Sequence, residues 1–322
     1  MRAIVCPDYG PPESLRVEER PDPVPGPGQA LVRHWAWGVN FVDILMCAGG
    51  YQLKPEVPFI PGGEAAGEVV DVGDGAPFRV GDKVMTARRL GMFAELAVAD
   101  AGSALAMPAA FDFAEGAAFR SVYMTAWNAL THGARLEAGD KVLVLGAAGG
   151  VGLAAVQIAK LKGAEVIAGA SSAAKRAALA SHADFVIDQS SGFRDEVKDL
   201  SGGGVDVVVD PVGGEIGEEA LRAMAYGCRY LRLGFTAGRP PAIRSNHLLI
   251  KGASAIGFRA GEIGRRNPGL NEQTMSDLLA LAEAGRLRPH ISHRADWPKI
   301  TAAMRPITNR EVIGKSVMVD DG

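Results

Sequence analysis

The pattern of apolar and polar positions changes character partway along the chain. Before Ala114, short runs rich in β-branched and aromatic residues, such as Ala30–Trp37 and Gly67–Val72, are bounded by turn formers. Pro25-Gly26-Pro27-Gly28 and Gly73-Asp74-Gly75 are examples. That is the signature of a β-rich region. Lys83–Thr86 and Phe93–Val98 read as further strands, and Phe41–Cys47 as one short helix. From Ala114 helical periodicity sets in. After Gly139-Asp140 a regular alternation follows, with apolar runs beginning near Val142, Glu165, Asp184, Val205, Arg229 and Ala253. Helical segments are predicted in all but the last interval: Gly152–Leu161, Ser172–Ala180, Phe193–Leu200 and Glu215–Met224.

The apolar runs are solid rather than alternating, as strands buried on both faces require. Strand and helix at this spacing predict right-handed crossovers and a doubly wound, parallel α/β sheet over residues 122–257. Residues 258–322 return to mixed texture, with helices expected at Asn271–Ala284 and Trp297–Arg305 and a strand at Ser316–Val319. They are expected to complete the β-rich domain begun by residues 1–121, which makes the α/β domain an insertion. The run Val142–Ala159 carries no charge over near-membrane length, yet it holds Gly146, Gly149, Gly150 and Gly152 and changes period after five residues. It reads as strand, turn and helix rather than as a membrane span.

Composition sharpens this picture in one respect. Glycine accounts for 41 of the 322 residues, roughly 13% against a usual ~7%, with no collagen-like period; some backbone must approach something closely. A net charge of −3 gives no electrostatic reason to bind nucleic acid or an anionic membrane. Cys6, Cys47 and Cys228 are far apart in sequence, which suits a reducing compartment. The N-terminus meets Pro7 before any apolar stretch forms, unlike a signal peptide, so a cytoplasmic location is expected.

The glycines concentrate after the strand Lys141–Leu145. Against the dinucleotide fingerprint, Ala147 stands at the first glycine, Gly149 at the second and Gly152 at the third. A residue without Cβ at 149 lets the backbone of Ala148, Gly149, Gly150, Val151 and Gly152 approach a pyrophosphate. Gly152 lets the helix lie against the strand, and the helix start directs free N–H groups at the phosphates. Tight packing without a ligand would account for Gly152 but not for Gly149 and Gly150 together. About 20 residues further on, an NAD site places an acid on the ribose 2′-hydroxyl. Here Ala170-Ser171-Ser172 stands instead, followed by Lys175 and Arg176. The missing acid favours NADPH, with Ser171, Ser172 and Lys175 at its 2′-phosphate. A solvated helix face is the alternative for the two cations.

The segments GPPESL, VPGPGQALVR, GVNFVD, PGGEAAGEV, GDKVM, LGAAGGVGLAAVQIAK, VDVVVDPVGG and GRLRPH together cover essentially the whole chain. With them the sequence resembles the zinc-free quinone oxidoreductase branch of the medium-chain dehydrogenase/reductase superfamily. The resemblance implies a GroES-like β domain interrupted by a Rossmann domain. Zinc alcohol dehydrogenases of the superfamily carry Cys where this chain has Asn40 and His where it has Gly63, and a four-cysteine loop that this chain lacks. No metal is expected. The resemblance further implies that Asn40 lies near the nicotinamide, that Tyr51 lines its substrate side and that Thr125 packs close by. Lys175 and Arg310 are then at the 2′-phosphate. A homodimer through the edge strand Ala253–Gly257 is also implied. Two positions depart from the pattern: Leu45 replaces a second tyrosine, and Gln189 replaces a phosphate-contacting one.

Without a metal to stabilise an alkoxide, a saturated alcohol is a poor substrate. A quinone spreads the incoming electron pair onto oxygen, so positioning and a modest hydrogen bond suffice. NADPH-dependent hydride transfer to a quinone is therefore the expected activity, with Asn40 or Tyr51 donating to the developing oxyanion. An enone or acrylyl-type enoyl thioester is the alternative acceptor, and a non-catalytic crystallin-like or RNA-binding role a remote one. Asn40 is equally placed to cap Phe41–Cys47, and Tyr51 to serve in ordinary packing. Arg259 could bind an anionic substrate or simply be solvated.

Overall fold

The computed structural model describes residues 1–190 and 192–320. The chain opens with strands β1 (Arg2–Val5), β2 (Arg16–Glu19) and β3 (Ala30–Val39), then helix α1 (Phe41–Cys47). Strands β4 (Glu64–Val72), β5 (Lys83–Ala87), β6 (Leu96–Ala99) and β7 (Ala104–Ala106) follow, then α2 (Phe113–Asn128). A strand–helix alternation succeeds them: β8 (Lys141–Val144), α3 (Gly150–Leu161), β9 (Glu165–Ala170), α4 (Ala173–Leu179), β10 (Phe185–Asp188) and α5 (Arg194–Ser201). It continues through β11 (Val205–Asp210), α6 (Gly214–Arg222), β12 (Met224–Arg232), α7 (Ser245–Lys251) and β13 (Ser254–Gly257). The chain closes with α8 (Ala260–Arg266), α9 (Pro268–Glu283), β14 (Ile291–Asp296), α10 (Ile300–Thr308) and β15 (Lys315–Val319).

Two compact units result: Met1–Ser121 together with the segment from Arg288 onward, and Val122–Leu287. In the first, one sheet runs β14-β15-β3-β4-β5-β7, with β6 also on β3. Its core is Trp37 stacked on Trp297 at 3.9 Å, with Ile4, Phe93 and Met318 buried around them. His34 is fully buried here. Its Nδ1 lies 2.9 Å from the Ala94 carbonyl and its Nε2 2.9 Å from the Thr86 hydroxyl. Burial pulls its pKa down to about 4, against a smaller upward effect of the Ala94 carbonyl; desolvation disfavours the imidazolium.

The second unit holds a parallel six-stranded sheet in the order β10-β9-β8-β11-β12-β13. The switch point lies between β8 and β11, where doubly wound sheets bind ligands beyond the strand ends. Val142–Leu145, Val166–Ala168 and Val207–Val209 are all inaccessible to solvent, as their solid apolar runs require. The uncharged run 142–159 divides between β8, the glycine turn and α3. Among the described residues no helix is long and apolar enough to cross a membrane.

Some elements differ from expectation. Phe93 and Ala94 precede β6 because the Phe93 carbonyl accepts from Ile4 N–H instead. β12 begins at Met224, before Arg229, across a register shift around Val205 and Val207. Helix α7 fills the interval for which no helix is predicted; it has no buried residue and so no apolar face to mark it. Helices α8 and α9 group with the sheet unit rather than with the closing segment; Thr274 on α9 bonds Asn128 at 3.1 Å.

Candidate active site

The glycine turn separates two kinds of steric demand. A Cβ built on Gly152 would stand 2.3 Å from the Gly146 carbonyl oxygen and 2.8 Å from Ala147 Cα, so the fold itself excludes a side chain there. At Gly149 the nearest atom would be 3.4 Å away, an ordinary contact. Its backbone (φ −79°, ψ 169°) suits any residue. The protein leaves room at 149, and the glycine there keeps that room open. Gly149 is the N-cap of α3, so the N–H groups of Gly150, Val151 and Gly152 lie in the first turn, where no intrahelical carbonyl reaches them. Ala148 is buried in the turn before them. These groups fit the diphosphate of a dinucleotide.

Beyond β9 the chain reads Ala170-Ser171-Ser172, with no carboxylate at the strand end. Ser172 caps α4, its hydroxyl oxygen accepting from Lys175 N–H at 3.3 Å. That leaves its O–H free to donate. Ser171 is exposed and Lys175 half-buried. Arg176 turns back to Asp188 at 2.7 Å, so its charge is partly matched. Hydrogen bonds from Ser190 and the Arg176 charge hold the Asp188 carboxyl below its usual range. Gln189 is 5% exposed, and its Oε1 accepts from Gly146 N–H at 2.8 Å. It braces the glycine turn from below.

Asp210, at the end of β11, is a site residue that sequence reasoning passed over. Its Oδ1 accepts from Val212 and Gly213 N–H at 2.8 and 2.7 Å, and its Oδ2 from Tyr230 and Arg232. The carboxylate fixes the turn after β11. An acid ending an apolar strand was the available signal.

The first unit holds a polar cluster in an apolar setting. Asn40 is the N-cap of α1, and Asp43 in the first turn accepts from Asn40 N–H at 2.8 Å. The Asn40 side chain closes a capping box with Asp43 and reaches further residues as well. Its Nδ2 donates to Glu64 Oε1 at 2.9 Å and its Oδ1 accepts from Lys315 Nζ at 2.6 Å. Lys315 also donates to Glu64 Oε1 at 2.8 Å, and Glu64 Oε2 accepts from Ser121 N–H at 2.9 Å. Glu64 and Lys315 are 1% and 4% exposed. Burial pushes the Asp43 carboxyl up to about 7, against the Asn40 N–H and the Lys315 charge that lower it.

Tyr51, Thr125, Arg310 and Arg259 complete the set of expected positions. Tyr51 is half-buried in a bend after α1, and its hydroxyl makes no hydrogen bond among the described residues. Thr125 lies half-buried in α2. Arg310 follows α10 with φ +60°, in the left-handed region. The bonds Arg310 N–H to Ile307 O and Glu311 N–H to Pro306 O close the helix there in a position usually given to glycine. Arg259 pairs with Glu262 at 3.6 Å.

The cluster around Asn40 does not suit a zinc ion. Its oxygen donors are turned on the Lys315 ammonium, which already supplies the cation. Cys47 is buried, with its thiol pushed upward by desolvation and therefore held in the weakly ligating form.

The family "Alcohol dehydrogenase GroES-like domain" matches residues 26–109, and "Zinc-binding dehydrogenase" matches residues 150–283. The zinc in the second description has no ligand set at Asn40 and Gly63. Quinone oxidoreductase-like protein 2 of Mus musculus is 35% identical over 98% of this chain and 91% of its own. Quinone oxidoreductase of Escherichia coli, solved with NADPH, superposes with a TM-score of 0.89 at 26% identity, covering 99% of this chain and 100% of its own. The CurK enoyl reductase superposes with a TM-score of 0.88 at 27% identity, covering 99% of each chain. With the parallel sheet, the interrupted GroES-like domain and this likeness along its whole length, the chain belongs to the quinone oxidoreductase branch of the medium-chain dehydrogenase/reductase superfamily, and it is an oxidoreductase.

Proposed function

We propose that the protein is an NADPH-dependent reductase of quinones that works without a metal. The observation carrying this reading is the donor set around Asn40, where an amide stands at one ligand position of the zinc enzymes and is bonded to a lysine and a glutamate. Such a set stabilises little charge on a saturated alkoxide. It suits an acceptor whose own conjugation spreads the electron pair.

In this reading Gly149, Gly150, Val151 and Gly152 hold the diphosphate, with Ala148 shaping the turn. Ser171, Ser172, Lys175 and Arg310 take the 2′-phosphate, and Thr125 packs near the nicotinamide. When bound, NADPH supplies the hydride. The amide nitrogen of Asn40 donates to the acceptor oxygen as negative charge develops there. Tyr51 bounds the acceptor's other side and is the second candidate donor. An enone or enoyl thioester meets the same demands, and the likeness to an enoyl reductase favours keeping it as the second reading.

The homodimer implied by the resemblance is supported by the sheet edge. Among the described residues strand β13 pairs with β12 alone, and Tyr226, Leu249 and Ile250 are 84%, 82% and 73% exposed. A second copy pairing along β13 would cover them, which light scattering would detect as a doubled mass.

Steady-state oxidation of NADPH and NADH against quinones, enones, enoyl thioesters and saturated ketones tests the reading. Turnover of conjugated acceptors with NADPH is expected, at least tenfold above NADH. Preference for a saturated ketone, or for NADH, would overturn it.

A further inference from the structure

We infer that Lys315 and Glu64 are positioning residues that fix which face of the Asn40 amide meets the acceptor. The inference rests on the reading of Asn40 as the hydrogen-bond donor. An ammonium has no lone pair to accept with, and an ionised carboxylate has no proton to give. Lys315 Nζ, 2.6 Å from Asn40, therefore selects the carbonyl oxygen, and Glu64 Oε1, 2.9 Å away, selects the amide nitrogen. Asp43 holds the main chain of the same residue through Asn40 N–H. Asn40 is thus gripped at three points, and rotating its amide by a half turn would set N–H against ammonium and oxygen against carboxylate.

One N–H of the amide is given to Glu64 and the other lies toward the Asp43 carboxyl, on a residue that is only partly buried. The grip ensures that a donor, never an acceptor, is presented there. A carbonyl oxygen in that place would repel the developing oxyanion. The ion pair is closed off from solvent, Lys315 and Glu64 side chains being 4% and 2% exposed. Salt screens it little. Lys315 also donates to the Val39 carbonyl at 3.3 Å, so all three ammonium hydrogens are used within the first unit.

The test compares the wild-type enzyme, Lys315→Met/Glu64→Gln, Asn40→Ala and the combined triple variant. NADPH affinity and the melting temperature report folding. Expected is a ten- to hundredfold loss of kcat/KM toward a quinone in the double variant, with the triple variant no lower than Asn40→Ala alone. A binding probe separates orientation from general damage. In the NADPH-free enzyme, 4-nitrophenolate should lose affinity about tenfold in the double variant, while neutral 4-nitrotoluene keeps its own. Equal losses for both probes, or losses in kcat/KM that multiply in the triple variant, would overturn the inference. Asn40→Ala at wild-type activity would instead remove the donor assignment on which it stands. If the neutral pair does not fold, Glu64→Asp keeps the charge, withdraws the acceptor from Asn40 and is expected to show the same probe selectivity.

Discussion

Two alanine substitutions three positions apart should fail in opposite ways. In Gly152→Ala the new Cβ lies 2.3 Å from the Gly146 oxygen and 2.8 Å from Ala147 Cα, with nothing but backbone to yield. Overpacking of this kind costs about 1–3 kcal/mol or more, and each kcal/mol lowers the Tm of a domain this size by about 2–4 °C. In Gly149→Ala the nearest protein atom is 3.4 Å away and the backbone is unstrained. Its stability should stay within about 0.5 kcal/mol of wild type. On the proposed reading, the methyl group nevertheless fills the space a phosphate would take. A thirtyfold weaker NADPH complex, about 2 kcal/mol, is the expected result. Differential scanning calorimetry measures the first effect and quenching of protein fluorescence by NADPH the second. A Gly149→Ala protein with wild-type NADPH affinity would refute the assignment of the turn.

Three further outcomes are expected. Lys315→Met alone leaves the Glu64 carboxylate buried and unpaired, which should cost about 3–5 kcal/mol in urea unfolding; adding Glu64→Gln should recover most of it, and no recovery would deny the pairing. Arg310→Gly relieves a left-handed arginine and should raise stability by about 1 kcal/mol, while weakening NADPH more than NADH. An unchanged preference between the two would remove Arg310 from the phosphate site. His34, with its pKa lowered from 6.5 to about 4, gives stability that is full above pH 6.5 and lost as pH falls toward 4. Asp43, raised from 3.8 to about 7, gives stability that is full below 3.8 and lost as pH rises toward 7. The two slopes cancel where they overlap, so Asp43→Asn should uncover a loss of about 3 kcal/mol between pH 6.5 and 4. Denaturant titrations at pH 4 and 6.5 that differ equally in wild type and variant would contradict this.

The parallel sheet was legible because burial on both faces leaves an unmistakable text of solid apolar runs. The bounds of α1 agree to the residue. Helix α7 was not legible, since a helix with no buried position carries no periodicity to detect. The site divides in the same way. Gly149 and the missing acid after β9 announce themselves locally. The grip on Asn40 does not, because it depends on Lys315 and Glu64, which are 275 and 24 positions away in the chain. Asn40 could be read as a cap or as a donor. It holds the cap position while its amide is engaged by the ion pair. Gln189 was read only as a lost phosphate contact, whereas its bond to Gly146 puts it beneath the turn.

The distance between Asn40 and Lys315 also sets an order of events during synthesis. At about 5–20 residues per second, a ribosome reaches Lys315 roughly 15–55 s after it has made Asn40. The whole inserted unit emerges in that interval and can fold before the first unit has its last strand. Until then β3 lacks β15, one of the partners on which its ladder depends. Glu64 lacks its counter-charge for the same period. The nascent first unit therefore waits as an open-edged sheet that invites chaperones or neighbouring chains, and the grip on Asn40 is among the last things the ribosome makes possible.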